Sequence, residues 1–452
     1  MTGGRESFFR GRGAGRAGWS RPGQALEATA PVLGQLLTTI TKGDLDDTLP
    51  SALAEKESPK ITNCQLVGSY NWLNRTSPTI LVPGAPPKWT PASIQDKLPE
   101  DNGSYFRDQN AARYAEHVFQ PAMEAIIEQD SKFDFSDIDI VSCGSSLGNL
   151  CRFIVEPEKG FRIVVEAIGS TVFLVRRENS PTQTIPDVRG YGHTFPEANT
   201  TWRSDVKGSE SHQRILQYKF AGLSCLVRYE GDGYLPKLYQ SFKAIDKTAA
   251  NSPDDLLKSF SNATVSPFSS TGKRTLSVQT AGETIPNSAM FDLKTRSNKK
   301  EYADVLESQL PRLWIAQIPN FIVAFHKCRV FNDIRVKDVR EDIRQWEKEH
   351  QSDLAKLAAL LKMLIAFAHG QPDGRFEIVF EGGEHNALDL REIGGDVNSC
   401  ISEAMRKRYG KERDDDYGYG YWSGEEDLDS GSEKDFTACS AEDCGYCGHC
   451  DY

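Results

Sequence analysis

Two short acidic segments are the parts of this sequence with the residue types and spacing to do chemistry. Glu230-Gly-Asp232 carries two carboxylates two residues apart, and Asp292-Leu-Lys294 carries a carboxylate and an amine at the same spacing. On a strand, alternate side chains face one side, so each pair is predicted to point at one site. Carboxylates from neighbouring strands suit a hard divalent cation, Mg²⁺ or Mn²⁺. A lysine beside them can position or deprotonate a water, so these four residues predict metal-assisted hydrolysis.

Both segments lie in β-prone sequence, and the surrounding pattern mixes strands with helices. Strands are predicted at residues 138–142, 161–167, 171–176, 224–229, 289–295, 313–317, 321–325 and 375–380. Helices are predicted at residues 209–218, 336–349 and 353–368, and at 106–128, where Pro121 should kink or split the helix. This mixture predicts an α/β (mixed α+β) fold with a central mixed β-sheet flanked by helices.

The chain of 452 residues exceeds the usual size of one core, and its composition divides it into segments. Residues 1–30 are predicted to be a disordered Gly/Arg-rich tail, and residues 31–100 an extended lead-in. A single domain is predicted at 101–400, with a mobile insertion at 251–288 that is rich in Ser, Thr, Asn, Pro and Gly. Residues 411–452 are predicted to be an acidic, disordered tail that ends in a cysteine cluster.

Between residues 138 and 336, the order of motifs resembles the decapping exoribonuclease (DXO) family, which belongs to the PD-(D/E)XK nuclease superfamily. A hairpin region at 138–176 precedes Gly192-His-Thr-Phe195-Pro-Glu197, which is similar to the family's Gly-x-x-Phe-Glu helix element. Residues 209–215 resemble the helix before the metal strand, and Glu230-Gly-Asp232 the metal strand itself. Asp292-Leu-Lys294 and Trp314-Ile-Ala-Gln317 are similar to the two motifs that follow.

The resemblance implies a PD-(D/E)XK-like nuclease core that acts on RNA 5′ ends. It implies that Glu197, Glu230, Asp232 and Asp292 ligate the metal. Lys294 would then orient the nucleophilic water, and Gln317 would contact the substrate.

The chain departs from the family pattern at three positions. Asp292 stands where the family has Glu, which shortens the reach by one methylene and keeps the ligand type. Pro196 is inserted in the helix element, where it indicates a first-turn position or a break. Gly144 stands where the family places an arginine that contacts the substrate.

The two ends of the chain allow more than one interpretation. The Gly/Arg-rich start resembles an RNA-binding tail, with a solubilising extension or a mitochondrial transit peptide as alternatives. Four thiols within twelve residues could bind Zn²⁺ or another thiophilic metal, but a structural zinc site normally has two pairs of ligands separated by a longer loop. A flexible, redox-exposed tail is therefore the other interpretation. The four thiols belong to Cys439, Cys444, Cys447 and Cys450.

The net charge of −11 argues against uniform binding of a nucleic-acid backbone, although it allows a local basic channel. Seven basic residues either line such a channel for RNA or form a solvated face: Arg176, Arg177, Arg189, Arg203, Lys207, Arg214 and Lys219. No run approaches the roughly 20 apolar residues of a membrane helix. The first 30 residues lack an apolar signal core, so we expect an intracellular protein, nuclear or cytoplasmic, that is not secreted.

Two functions of different classes follow from the sequence. The first is a divalent-metal-dependent RNA hydrolase acting at 5′ ends, by decapping, pyrophosphohydrolysis or 5′–3′ exonuclease action. The second is a catalytically inactive relative that binds RNA or serves as a scaffold, which Gly144 and Pro196 favour. Convergence of the predicted carboxylates would distinguish the first from the second.

Overall fold

The computed structural model describes residues 29–46, 58–92, 97–155, 159–186, 188–249, 275–383 and 385–408. The predicted terminal tails and the cysteine cluster at 439–450 lie outside this set, apart from residues 29 and 30. No helix in these segments is long and apolar enough to cross a membrane.

The described strands are numbered in chain order. They are β1 (Leu36–Thr41), β2 (Ile61–Leu73), β3 (Thr79–Gly84), β4 (Lys88–Trp89), β5 (Ile140–Cys143), β6 (Lys159–Ile168), β7 (Thr171–Arg176), β8 (Thr200–Thr201), β9 (Ser209–Phe220), β10 (Leu223–Glu230), β11 (Gly233–Tyr234), β12 (Ser277–Gly282), β13 (Met290–Ser297), β14 (Asn320–Lys327), β15 (Val330–Asp338), β16 (Arg375–Gly382) and β17 (Ala387–Arg391).

The helices are numbered in the same way. They are α1 (Gln109–Arg113), α2 (Gln120–Gln129), α3 (Gly144–Val155), α4 (Thr194–Asn199), α5 (Pro236–Ala249), α6 (Tyr302–Glu307), α7 (Leu310–Ala316), α8 (Arg340–Glu349), α9 (Gln351–Gly370) and α10 (Glu403–Arg406). Single 3₁₀ turns are present at Ser204–Val206 and Asn287–Ala289.

The described strands form two mixed sheets. The larger has the order β1-β17-β16-β6-β7-β5-β10-β9-β2-β3-β12, and the smaller has the order β15-β14-β13-β11-β4-β8. In the larger sheet, β7, β5 and β10 are neighbouring parallel strands. The predicted fold class, a mixed sheet flanked by helices, is confirmed.

Helices cover both faces of the larger sheet. On one face, α3, α7, α8 and α9 pack their apolar side chains against β6, β10 and β16. On the other face, α2 packs Met123 and Ile126 against β2 and β10. Because the central strands are buried on both faces, their sequences do not alternate cleanly between apolar and polar residues.

Two predicted elements have the opposite secondary structure. Residues 209–218, predicted to be a helix, belong to strand β9, which pairs with β10 and β2. Its polar residues are not a solvated helix face, because neighbouring side chains bind them: His212 Nδ1 lies 2.6 Å from Asn71 Oδ1, and Gln213 donates to Glu230 at 3.0 Å. Tertiary pairing overrides the local pattern here.

Residues 313–317, predicted to be a strand, lie in helix α7 and its C-cap. Pro311 stands in the first turn, where a missing N–H costs nothing, and the last four residues of the helix, Leu313–Ala316, are all buried. Gln317 ends the helix in a left-handed conformation with φ of 49°. The predicted helix at 336–349 begins only at Arg340, because residues before it continue strand β15.

Three boundaries of the predicted organisation also differ in detail. The predicted lead-in at 31–100 contains β2 and β3, which are core strands of the larger sheet. Within the predicted insertion at 251–288, residues 251–274 lie outside the described set, and Ser277–Gly282 form strand β12 beside β3. The helix predicted at 106–128 is split into α1 and α2, with Pro121 in the first turn of α2, as the proline predicts.

Helix α9 supports the sheet that carries the site, so a cavity there should lower stability. We expect Leu360→Ala, at a fully buried position of α9, to reduce the free energy of unfolding by about 2–5 kcal/mol. Val336→Ala, at a half-exposed position of β15, is the control and should change it by less than about 1 kcal/mol. Urea denaturation measures both values. Equal losses would contradict this account of the core.

Candidate active site

The chain passes from the larger sheet to the smaller one between Glu230 and Gly233. Strand β10 ends at Glu230, and the Gly231 N–H donates to the His212 carbonyl at 2.9 Å. Gly233 then pairs with Phe291 in an antiparallel bridge. A Cβ at Gly233 would lie 2.7 Å from the Pro87 carbonyl oxygen, so only glycine fits this crossing.

The bridge between Gly233 and Phe291 determines which acids meet. Because the pairing is antiparallel, Asp232 lies next to Asp292. The Leu293 N–H donates to Asp232 Oδ2 at 2.7 Å, which fixes that carboxylate against β13. Two of the predicted carboxylates are thus neighbours, although Asp232 lies beyond the end of β10 rather than on the strand as predicted.

Lys294 completes the predicted pair on β13. Its Nζ lies 3.0 Å from Asp292 Oδ1, and both side chains are buried, with exposed fractions of 5% and 1%. Residues two apart on a strand face the same side, so the contact has the geometry predicted from the sequence. A buried amine in contact with a buried carboxylate is the core of the site.

The carboxyls that lie together disfavour one another's charge. Burial, and next the charge of Asp232, raises the pKa of Glu230 to about 8. Burial and the charge of Asp292 likewise raise the pKa of Asp232, although Lys294 and Arg312 oppose the shift. Burial therefore accounts for most of each shift, and the neighbouring carboxylate adds to it.

Asp292 and Lys294 respond to their cationic neighbours. Burial acts to raise the pKa of Asp292, but the charges of Arg312 and Lys294 outweigh it and hold that pKa below its usual value. Burial and the charge of Arg312 lower the pKa of Lys294, despite the two aspartates beside it. A lysine with a lowered pKa is closer to the neutral form that can accept a proton.

Arg312 is a site residue that the sequence analysis missed. It lies on α7, and its Nη1 is 2.8 Å from Asp292 Oδ2. Residues 313–317 were predicted to be a strand, so Arg312, just before them, was not assigned to the site. Pro311, followed by the buried pair Leu313 and Trp314, is the sequence signal for a helix that could have revealed it.

A cavity of about 800 Å³ adjoins these residues. It lies where the parallel strands β7, β5 and β10 end, and ligands in open α/β sheets bind in crevices of this kind. Glu230 and Arg312 line it, whereas Asp232, Asp292 and Lys294 are not part of its wall. Other polar residues of the wall include Arg107, Asp108, Asn110, Arg176, Gln213 and Arg228.

Glu197, the remaining predicted metal ligand, is not grouped with the other acids. It is an exposed residue of α4. Pro196 lies in the first turn of this helix, which is one of the two positions predicted for it. The charge of Glu197 contributes to the raised pKa of Tyr105, after burial and Asp101. It is not among the main charges that act on Glu230, Asp232 or Asp292.

Gln317 has a structural role in the contacts observed. Its Nε2 donates to the Trp314 carbonyl at 2.6 Å, and its own carbonyl accepts from Asn287 Nδ2 at 2.6 Å. Gln317 is not part of the cavity wall. Its predicted contact with substrate therefore remains a prediction that these contacts do not favour.

The chemistry of the donor set fits a hard divalent cation. Glu230, Asp232 and Asp292 offer only carboxylate oxygens, which Mg²⁺ and Mn²⁺ prefer. The ion pairs of Asp292 fall outside hydrogen-bond geometry, so both of its buried oxygens retain lone pairs. Among the described residues, however, no three Asp, Glu, His or Cys side chains lie close enough together to form a completed metal cage.

Among the seven basic residues predicted to line a channel or form a solvated face, Arg176 lines the cavity. Arg177 pairs with Glu377, and Arg203 pairs with Asp205 and Glu283. Arg214 is fully buried and donates to the Ile285 carbonyl. A continuous channel along the seven residues is therefore not supported.

The fold and the carboxylates at the ends of its strands define a mixed α/β protein with an acidic site at the junction of two sheets. The chain belongs to the family described as Domain of unknown function (DUF8563), whose model matches residues 54–388. That range contains Glu230, Asp232, Asp292 and Lys294. The comparison with curated proteins gives no match.

Among solved structures, the chain is similar to several proteins named Rai1 or Dxo1. S. pombe Rai1 in complex with 3′-FADP is 11% identical, with a TM-score of 0.48 over 79% of this chain and 99% of that one. Candida albicans Rai1 in complex with pU5-Mn²⁺ is 9% identical, with a TM-score of 0.45 over 78% and 94%. K. lactis Dxo1 in complex with manganese is 10% identical, with a TM-score of 0.43 over 76% and 94%.

These proteins belong to the group that the order of motifs resembles. At such identities and TM-scores, the likeness assigns no role to any residue of this chain.

The raised pKa of Glu230 predicts a dependence of stability on pH in the metal-free protein. The folded state retains a proton on Glu230 up to about pH 8, whereas the unfolded state releases it near its ordinary pKa of 4.5. Stability from this group is therefore complete below about pH 4.5 and is lost as the pH rises through 8. We expect Glu230→Gln to remove this loss, which amounts to at most about 1.4 kcal/mol per pH unit.

Denaturation of both proteins in EDTA between pH 5 and 9 measures the effect, as the difference between variant and wild type at each pH. Glu341→Gln, which alters an exposed side chain of α8, is the control and should give a flat difference. A flat difference for Glu230→Gln as well would refute the raised pKa.

Proposed function

We propose that the chain is a divalent-metal-dependent hydrolase acting on RNA 5′ ends. The observation that supports this most directly is the grouping of Asp232, Asp292 and Lys294 by the bridge between β11 and β13. Neighbouring carboxylates beside a buried amine of lowered pKa are suited to metal-assisted hydrolysis. RNA as the substrate class is supported by the order of motifs and by the guanidinium groups in the cavity wall.

The cation would be held by Glu230, Asp232 and Asp292. When bound, it would supply Lewis-acid stabilisation of charge on the phosphate. A cation at this position would favour the charged forms of Glu230 and Asp232, whose pKa values are raised first by burial and then by a neighbouring carboxylate.

Lys294 and Arg312 have separate roles in the proposed reaction. Lys294 is buried and held at 3.0 Å by Asp292, so its Nζ is fixed in position to orient a water or accept its proton. Arg312 reaches from the cavity to Asp292, so its guanidinium can contact a phosphate oxygen of the substrate. The apolar packing of β13 and α7 keeps both side chains in place.

Loss of one carboxylate or of the amine should abolish turnover without unfolding the protein. We expect Asp232→Asn and Lys294→Gln each to lower Mn²⁺-dependent hydrolysis of 5′-modified RNA by about 100-fold or more. The measurement is product formation from end-labelled RNA, with circular dichroism to establish that each variant is folded.

Asp333→Asn is the matched control, because this exposed aspartate of β15 pairs only with Arg335 in the contacts observed. It should retain wild-type turnover. Unchanged turnover in Asp232→Asn would exclude the proposed site.

A second candidate function is an inactive relative that binds RNA without hydrolysing it. It is favoured by the ion pairs that Lys294 and Arg312 make with Asp292, since these already neutralise one predicted ligand. It is also favoured because, among the described residues, no three Asp, Glu, His or Cys side chains are grouped closely enough to hold a metal ion. In that case Arg312 would act as a permanent counter-ion.

Calorimetric titration with Mn²⁺ distinguishes the two candidates. A hydrolase should take up Mn²⁺ at a site that Asp232→Asn weakens by about tenfold or more, because a charged ligand is lost. An inactive relative should give identical, weak heats for both proteins. Arg312→Gln adds a further test of the inactive relative. If Arg312 is a permanent counter-ion of Asp292, its removal should strengthen uptake of Mn²⁺ relative to the wild type.

A further inference from the structure

The end of the cavity beside Gly144 is built differently from the end that holds Glu230 and Arg312. Strands β7, β5 and β10 are parallel neighbours, with Arg228 paired to Cys143 and Leu174 paired to Ser142. Their carboxyl ends therefore meet at one edge, and they bring Arg176 and Arg228 to the two sides of Gly144. Such an edge is the usual place for a ligand in a sheet of this kind.

Three guanidinium groups line this end of the cavity, those of Arg107, Arg176 and Arg228. Arg107 and Arg228 are buried, with exposed fractions of 6% and 4%, and the Arg176 side chain is 10% exposed. Arginines are rarely buried to this degree unless each is paired. Whether these three guanidinium groups can bind a ligand therefore depends on how many of their charges and N–H donors are already paired.

The observed partners do not pair every charge and N–H donor of the three guanidinium groups. Glu178 pairs with Arg176 and, at 3.8 Å, with Arg107. No carboxylate of the described residues lies within 4 Å of the Arg228 guanidinium, which donates to the Val118 carbonyl at 2.6 Å, is hydrogen-bonded to the Tyr70 hydroxyl and lies 4.7 Å from the Phe119 ring centre. The buried Nε of Arg107 has no hydrogen-bond partner.

Nearby acids do not neutralise the group. Asp108 acts on Arg176 and Arg228 through its charge, but its Oδ1 is occupied by the N–H groups of Asn110 and Ala111. Three guanidinium charges therefore face two carboxylates, Glu178 and Asp108. The guanidinium groups thus outnumber these two carboxylates, and the buried Nε–H of Arg107 is available to a ligand.

The backbone beside these arginines also favours an anion. Helix α3 begins at Gly144 and has twelve residues, so the positive end of its dipole faces the same edge. The Ser146 N–H is occupied by the Cys143 thiol at 3.4 Å. A Cβ at Gly144 would have no neighbour closer than 3.6 Å, so there is room for other atoms at this position.

We propose that Arg107, Arg176, Arg228 and the start of α3 form a subsite for the 5′-terminal phosphate of RNA. A terminal phosphomonoester carries close to two negative charges at neutral pH and three acceptor oxygens, whereas an internal phosphodiester carries one charge. A group of guanidinium donors that outnumber the carboxylates beside them should therefore prefer the terminal group. This inference rests on the proposed function, since it assigns the substrate end bound in the same cavity.

The test is binding without turnover. Fluorescence anisotropy in EDTA compares one RNA oligonucleotide with a 5′-phosphate, with a 3′-phosphate and with hydroxyls at both ends. We expect the wild type to bind the 5′-phosphate form about tenfold more tightly than the other two. Equal binding of all three would overturn the subsite, and equal preference for both phosphates would show that it does not select the 5′ end.

Gly144→Asp and Gly144→Asn form the matched pair of variants. Both side chains have nearly the same size and are accepted at the start of a helix, so they differ in charge. We expect Gly144→Asp to lose the 5′-phosphate preference and Gly144→Asn to retain most of it. If circular dichroism shows that Gly144→Asp is unfolded, Arg176→Gln replaces it, with loss of the preference again expected. A retained preference in the folded variant would overturn the assignment.

The outcome is separable from that of the proposed hydrolysis. Loss of Mn²⁺-dependent turnover in Asp232→Asn tests the acidic site alone, because the anisotropy measurement contains no metal. A wild type that hydrolyses RNA but binds all three oligonucleotides equally would retain the proposed function and exclude the subsite. A wild type that shows the preference but no turnover would retain the subsite and exclude hydrolysis.

Discussion

The antiparallel bridge between Gly233 and Phe291 is the constraint on which the site depends. It lies in the smaller sheet, directly after the chain has crossed from the larger one, and it brings Asp232 next to Asp292 although 59 residues separate them along the chain. The crossing requires a residue without a side chain, because a Cβ at Gly233 would lie 2.7 Å from the Pro87 carbonyl oxygen. Once the bridge forms, the positions of Leu293 and Lys294 follow from the regular geometry of β13.

The same bridge explains the electrostatics of the site. Glu230 ends a strand of the larger sheet and Asp292 lies on a strand of the smaller one, with Asp232 between them, so acids from both sheets act on one another where water screens their charges poorly. The cations that offset them come from β13 itself, as Lys294, and from helix α7, as Arg312. The charge balance therefore depends on three separate elements, and correct packing of α7 is as important to it as the strands are.

The sequence predicted the parts of this arrangement that depend on local geometry. The acid and amine of β13 are two residues apart, so their contact follows from the strand period, and Pro121 and Pro196 occupy positions that proline favours. The failures arose where distant contacts override local pattern. Strand β9 contains polar residues whose partners are distant along the chain, such as Asn71 for His212 and Ile285 for Arg214, and no local signal identifies those partners.

Arg312 and Glu197 illustrate the remaining limit of prediction from sequence. Helix α7 is short and its apolar run resembles a buried strand, so the strand prediction left Arg312 out of the site, although Pro311 favours a helix start. Glu197 was assigned from motif order alone, and the structure places it on an exposed helix face. Order along the chain does not fix the distance between side chains from two different sheets.

The arginines around Gly144 have a consequence for how relatives of this chain are recognised. In the resembled family, an arginine is expected at the position of Gly144. Here, neighbouring strands bring Arg176 and Arg228 to the same edge. A sequence alignment records only that the arginine is replaced by glycine, although the space around Gly144 still contains positive charge. Surveys of divergent homologues should therefore compare the charge within a region of space as well as the residue at each aligned position.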